Sequence, residues 1–189
     1  MRKLKLQVQI SLDGFIAGLN GEMDWMVWDW DDELIKYVEE ITEPVDCIVL
    51  GKNLAQGFIP HWSKIAEDSS HPEYVGGRKY TDTHKVVFTK TLEQAEWKNT
   101  ELAKGDIAQE ISNLKKKDGM DIIAYGGGKF VSSLVKHGLI DEFHLFVNPV
   151  AIGKGMPIFA ELDRNQKFVL EASQNYSCGI AVLRYRVST

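Results

Sequence analysis

Three consecutive glycines, Gly126-Gly127-Gly128, stand between an apolar run and a stretch of helical spacing, and no other segment is as specific in its chemistry. Glycine lets a backbone come close to a ligand, and the free N–H groups at a helix start favour an anion such as a pyrophosphate. Lys129 adds a positive charge there. The spacing is weaker than a full G-x-G-x-x-G, and no Gly-Lys-Ser/Thr follows as in a Walker loop, so phosphate binding and a plain tight turn both suit it. Gly51-Lys52, opening a short helix through Asn53-Leu54-Ala55, and Thr89-Lys90-Thr91 repeat the theme of a strand end followed by a cation. Ligands of open α/β sheets bind outside the carboxyl ends of the strands, so three such ends side by side fit a nucleotide with two phosphate positions.

A second group of residues lies between Asp24 and Glu33, where Trp25, Trp28 and Trp30 alternate with Asp29, Asp31 and Asp32. A carboxyl desolvated against indole has a raised pKa and can donate a proton near neutrality. Asp29, Asp31 and Asp32 are therefore candidate catalytic acids, although either of the last two also suits a helix cap. His61, His71, His84, His137 and His144 are scattered, with no Ser-His-Asp or paired-His arrangement among them. Cys47 and Cys178 have no Cys or His at metal-ligand spacing, so no metal site is expected.

The elements that must position these residues follow from periodicity. Leu4 to Ile10 alternates and reads as a strand with one face toward a core. Leu34, Ile35, Val38 and Ile41 form the stripe of a helix capped by Asp31 or Asp32 and stopped by Pro44. Val45 to Leu50 and Lys85 to Thr89 are short β-branched strands, Asn99 to Leu102 is a weaker one, and the stretch from Pro60 to Asp82 reads as surface loops. Asp106 caps a helix carrying Ile107, Ile111 and Leu114, and its terminal Lys115-Lys116-Lys117 suits a helix C-terminus. Asp121 to Tyr125 is a buried strand, the glycines turn into a helix with Phe130, Val131, Leu134 and Val135 inward, and Phe143 to Val147 is a strand. Phe168 to Tyr176 and Ile180 to Val187 alternate about Ser177-Cys178-Gly179 as a terminal hairpin would.

The chain of 189 residues is 44% hydrophobic and 26% charged, which suits one globular domain, residues 1–189, and excludes disorder. A net charge of −5 without a clustered basic stretch gives no general attraction to nucleic acid or to an anionic membrane. No segment approaches a membrane span, and the alternating N-terminus lacks a secretory apolar run, so a cytoplasmic protein is expected.

Taken in order, Ser11-Leu12-Asp13-Gly14-Phe15-Ile16-Ala17, Leu50-Gly51-Lys52, Lys85 to Lys90, Tyr125 to Gly128, Gly138 to Glu142, Asn148-Pro149-Val150 and Gly153 to Phe159 cover almost the whole chain. Together they resemble the RibD C-terminal domain family, which shares the dihydrofolate reductase fold. The resemblance implies an α/β domain with a central, mostly parallel mixed sheet flanked by helices and ending in an antiparallel hairpin. It implies hydride transfer from NADPH to a pyrimidine- or pteridine-like heterocycle, as in 5-amino-6-(5-phosphoribosylamino)uracil reductase, and a homodimer. Ile16 and Ala17 would flank the nicotinamide. Gly51, Lys52, Asn53 and Leu54, with Gly126, Gly127, Gly128, Lys129 and Phe130, would hold the pyrophosphate, and Thr89 and Lys90 would meet the adenosine 2′-phosphate. Trp25, Trp28, Trp30 and Tyr125 fall where the substrate ring would stack. Two positions depart from the family pattern. Gly51-Lys52-Asn53-Leu54 replaces Gly-Arg-x-Thr, and Tyr125 replaces a glutamate common in riboflavin-pathway reductases. A non-catalytic nucleotide-binding or ligand-sensing module on the same fold is the alternative.

Overall fold

The computed structural model describes residues 1–188. The chain runs β1 (Leu4–Ile10), α1 (Asp32–Thr42), β2 (Val45–Gly51), α2 (Lys52–Glu67), α3 (Tyr74–Asp82), β3 (His84–Phe88) and β4 (Thr100–Ala103). It continues through α4 (Ile107–Lys116), β5 (Asp121–Tyr125), α5 (Gly128–Lys136), β6 (Glu142–Val147), β7 (Phe168–Asn175) and β8 (Ala181–Val187). The strands form one sheet in the order β4-β3-β2-β5-β1-β6-β8-β7. Strands β1 to β6 pair in parallel, and only the β8 and β7 hairpin is antiparallel, so the mixed α/β sheet with a terminal hairpin is the observed fold.

This strand order decides which face each helix covers. From β1 to β2, β3 and β4 the chain steps toward one edge of the sheet, and from β4 to β5 and β6 it steps back. Right-handed crossovers of opposite direction put their helices on opposite faces. Leu4, Leu6, Val8 and Ile10 accordingly pack with Ile111 and Leu114 of α4 and Val131 and Leu134 of α5. On the other face Ala55 and Ile59 of α2 pack over β2, β3 and β5, while Leu34, Val38 and Ile41 of α1 pack against Phe146 and Val182. Helix α1 begins at Asp31, whose side chain accepts the Leu34 N–H, and α4 begins at Asp106, which accepts from Ala108 and Gln109.

Two expectations are corrected. The region from Pro60 to Asp82 is not surface loop: α2 runs on to Glu67 and α3 fills Tyr74–Asp82. Pro60 is tolerated inside α2 because it and Gln56 lie on the exposed side, where water serves the carbonyl that proline cannot. The second correction is that Lys5 and Gln7 do not face solvent, since β1 is central and α1 and α2 flank its second face; they are 6% and 8% exposed. Lys85, the second residue of β3, is likewise buried. Its Nζ donates to the carbonyls of Tyr80, Thr81 and Thr83, capping the end of α3, and burial lowers its pKa to about 8.

Candidate functional site

The parallel strands all point their carboxyl ends to one edge, and the chain leaves β2 and β5, which are neighbours, in opposite directions. That divergence opens a crevice of the kind in which α/β proteins bind ligands. The helices that start there are α2 and α5. Unlike α1 and α4, neither has a side-chain cap, because their N-cap residues are Gly51 and Gly127. Their first N–H groups are left to whatever enters the crevice.

The glycines also determine how closely the two helix starts approach. A Cβ on Gly51 would lie 2.9 Å from Phe130 Cβ, and one on Gly127 would lie 3.7 Å from Leu54 Cβ, so the first turn of α2 packs directly on that of α5. Gly127 adopts φ +96°, a left-handed conformation that disfavours any side chain. Gly126 differs from both, since a Cβ there meets nothing within 4 Å. Phe130 continues the contact to Phe88 at the end of β3, with ring centroids 5.0 Å apart.

Ile16 and Ala17 join the same edge through a segment to which the sequence reading gave no role. The Ile16 N–H donates to Met156 O at 3.0 Å and the Met156 N–H to Ala17 O at 2.8 Å, while Met156 Sδ lies 3.2 Å from where a Gly128 Cβ would stand. Met156 thus connects the Ile16-Ala17 backbone to the start of α5. Asp13 holds the incoming loop, accepting from Ser11 Oγ and from the N–H groups of Ile152 and Gly153, and the Ser11 hydroxyl foremost lowers its pKa.

At the β3 end, Thr89 Oγ1 accepts the N–H groups of Thr91 and Leu92 and shapes the turn. Lys90 Nζ donates to Lys104 O and Gly105 O beyond β4, at 2.5 and 2.8 Å. Lys52 Nζ donates to Thr91 Oγ1 at 2.7 Å, which brings Lys52 and Lys90 to one loop. Lys129 is exposed on the first turn of α5. The residues expected around a dinucleotide are therefore contiguous along the carboxyl edge, from Ala17 to Lys90.

The Trp- and Asp-rich segment is more mixed. Asp31 accepts from Leu34 N, Ser177 Oγ and Cys178 N, so it both caps α1 and clasps the β7-β8 turn. These bonds, the Ser177 hydroxyl first, lower its pKa and hold it ionised, the reverse of a carboxyl poised to donate. Asp29 and Asp32 are exposed. Trp30 packs on Phe146 and donates its indole N–H to Val27 O, Trp25 donates to Glu22 O, and Trp28 is 61% exposed. Asn148, fully buried at the end of β6, accepts the Val27 N–H and so pins this segment to the sheet. Tyr125 is buried and stacked on Phe58 at 5.2 Å; burial first, and then the neighbouring Tyr80 phenol, push its own phenol well above its ordinary pKa.

Two hollows of about 480 and 430 Å³ lie elsewhere, one around Phe159 and Arg164 and the other around Arg78 and His84, and neither is lined by these residues. Among the described residues no cluster of three or more His, Cys, Asp or Glu side chains could hold a metal, and no helix is long and apolar enough to cross a membrane.

A parallel sheet diverging at β2-β5, with a C-terminal antiparallel hairpin, is the dihydrofolate reductase-like architecture. The chain belongs to the RibD C-terminal domain family, whose profile matches residues 2–182. The uncharacterized protein YyaP of Bacillus subtilis (strain 168) is 31% identical over 188 residues, spanning 97% of this chain and 94% of its own. A Shewanella sp. PV-4 crystal structure, provisionally assigned to riboflavin biosynthesis, superposes with a TM-score of 0.72 at 23% identity over 100% of both chains. The Thermotoga maritima diaminohydroxyphosphoribosylaminopyrimidine deaminase/5-amino-6-(5-phosphoribosylamino)uracil reductase superposes with a TM-score of 0.69 at 21% identity, over 99% of this chain and 57% of that longer one.

Proposed function

We propose that the protein is an NADPH-dependent reductase of a pyrimidine- or pteridine-like ring. The observation that carries this reading is the pair of uncapped helix starts, α2 and α5, packed together at the diverging strands β2 and β5. An anion there takes up backbone N–H groups that no side chain serves, and the open space over Gly126 leaves room for it. Family membership and the architecture support the same reading.

Gly51 to Leu54 and Gly126 to Phe130 would hold the pyrophosphate, with Lys52, Lys90 and Thr89 toward the 2′-phosphate and Ile16 and Ala17 against the nicotinamide. Bound NADPH would supply the hydride. The chain's own part is to orient the two rings in near contact and to keep water out, for which buried Ile16 and Ala17 and the tryptophan segment are suited. Lys52 supplies a point charge where the family pattern has arginine, which gives a less directional phosphate contact. With Asp31 engaged in the cap, Asp29 and Asp32 are the carboxylates left to relay a proton. The reading includes a single-domain, cytoplasmic homodimer; the outer edge of β7, with Leu170 exposed, gives a second copy a surface to meet.

The engagement of Asp31 favours a second reading, a binding module without turnover. Following the loss of reduced-nicotinamide absorbance with uracil- and pteridine-type rings separates the two. Oxidation of NADPH that needs a ring and slows in Asp29→Asn or Asp32→Asn supports the reductase. NADPH binding without oxidation by any ring supports the module.

A further inference from the structure

The apolar core is one cluster on the α4-α5 face and two separate clusters on the other. Between those two, β1 turns Lys5, Gln7 and Gln9 to the divided face, since Leu4, Leu6, Val8 and Ile10 belong to the opposite one. This polar seam ends at the carboxyl edge, beside the segment that leads to Ile16 and Ala17. Lys5 is paired, its Nζ reaching Ile41 O at 3.2 Å and Asp121 Oδ2 at 3.1 Å. Gln9, half-buried, accepts from Asn148 Nδ2 at 3.1 Å.

Gln7 is the exception. It is only 8% exposed, yet its Oε1 is buried and has no hydrogen-bond donor. Its neighbours in register do not serve it. His144 on β6 spends both ring nitrogens, on Tyr37 at 2.6 Å and Glu142 at 2.8 Å, and Tyr125 on β5 packs its ring on Phe58. A buried amide oxygen without a donor is costly in a folded protein, and this one lies on the strand that leads to the candidate site.

We propose that Gln7 is a specificity-determining residue that reads the lactam edge of a flat ring. Its Oε1 accepts the ring N–H and its Nε2 donates to the adjoining ring carbonyl. The ring enters along β1 past Gln9. The assignment rests on the reductase reading for the presence of a ring substrate, but the bonds themselves do not require NADPH.

Calorimetric titration of uracil and of diaminopyrimidine into the parent protein, Gln7→Leu and Gln7→Glu tests it, with NADPH titrated in parallel. The parent should prefer uracil. Gln7→Leu should bind uracil about tenfold more weakly or worse, with an unchanged or higher Tm, because an unpaired buried polar group has been removed. Gln7→Glu, whose carboxylate only accepts, should shift preference toward the protonated amidine edge of diaminopyrimidine. If Gln7→Leu fails to fold, Gln7→Met serves in its place. Equal uracil binding by the parent and the apolar variant, or binding of neither ring by the parent, overturns the proposal. NADPH affinity should be the same in all variants; its absence in the parent, with the Gln7 pattern intact, would defeat the reductase reading and leave this one standing.

Discussion

Gly126→Ala adds one methyl group at the head of the crevice without disturbing the fold. No heavy atom lies within 4 Å of that Cβ, and Gly126 is not among the residues of positive φ. Restricting the unfolded chain should leave stability unchanged or raise it by about 0.4–1 kcal/mol. If a pyrophosphate lies against the N–H groups of α5, the methyl group displaces at least one charge-assisted hydrogen bond. The loss is about 1.5–3 kcal/mol, or roughly 10–150-fold in Kd for NADPH. Gly127→Ala is the contrast, since φ +96° makes alanine strained there. It should cost about 1–2 kcal/mol of stability and lower Tm by about 2–8 °C. Thermal unfolding and calorimetric titration on the same preparations separate the effects. A folded Gly126→Ala protein that binds NADPH with parent affinity would refute the placement of the pyrophosphate.

Lys90→Ala should reduce the preference for NADPH over NADH by about tenfold, with Tm nearly unchanged because the bonds it loses to Lys104 and Gly105 are exposed; titration of both cofactors measures the ratio. Asp31→Ala should lower stability by about 1–2 kcal/mol through the lost cap and leave NADPH affinity intact, whereas Asp31→Asn, which still caps, should retain turnover; denaturant unfolding and steady-state rates check the pair. Glu142, held by His144 with its pKa lowered from 4.5 to about 2, contributes stability that is complete above the unfolded value and is lost as pH falls from 4.5 through about 2. Glu142→Gln should flatten that part of the acid unfolding profile.

The glycine turn and the Asp106 cap were legible in the sequence because they are local, and the α1 cap was narrowed to Asp31 or Asp32: Gly126 to Gly128 follow a strand of five residues, and each cap stands just before an apolar helical stripe. What failed depends on tertiary surroundings. Alternation in β1 identified Leu4, Leu6, Val8 and Ile10 as inward, but a polar residue opposite a core face signals solvent only at a sheet edge or on an uncovered face, and β1 is central, with α1 and α2 flanking its second face. The start of α2 was read through Asn53-Leu54-Ala55, but its run past Pro60 was hidden by that proline and α3 by Gly76-Gly77. Gly77 is in fact a packing contact, for a Cβ there would come 2.7 Å from Ile65 Cγ2, so it allows α3 to lie against α2. At the site, Asp31 could not be told from Asp29 or Asp32 because its clasp partners, Ser177 and Cys178, are almost the whole chain away. The role of Met156 likewise needed its backbone bonds to Ile16 and Ala17.

Titrating NADPH and NADH separately into the purified parent protein puts the cofactor assignment at stake in one experiment. The proposed placement at α2, α5, Lys52 and Lys90 predicts one NADPH bound per chain, with affinity at least about tenfold above that for NADH. No binding of either, or equal binding of both, would contradict it.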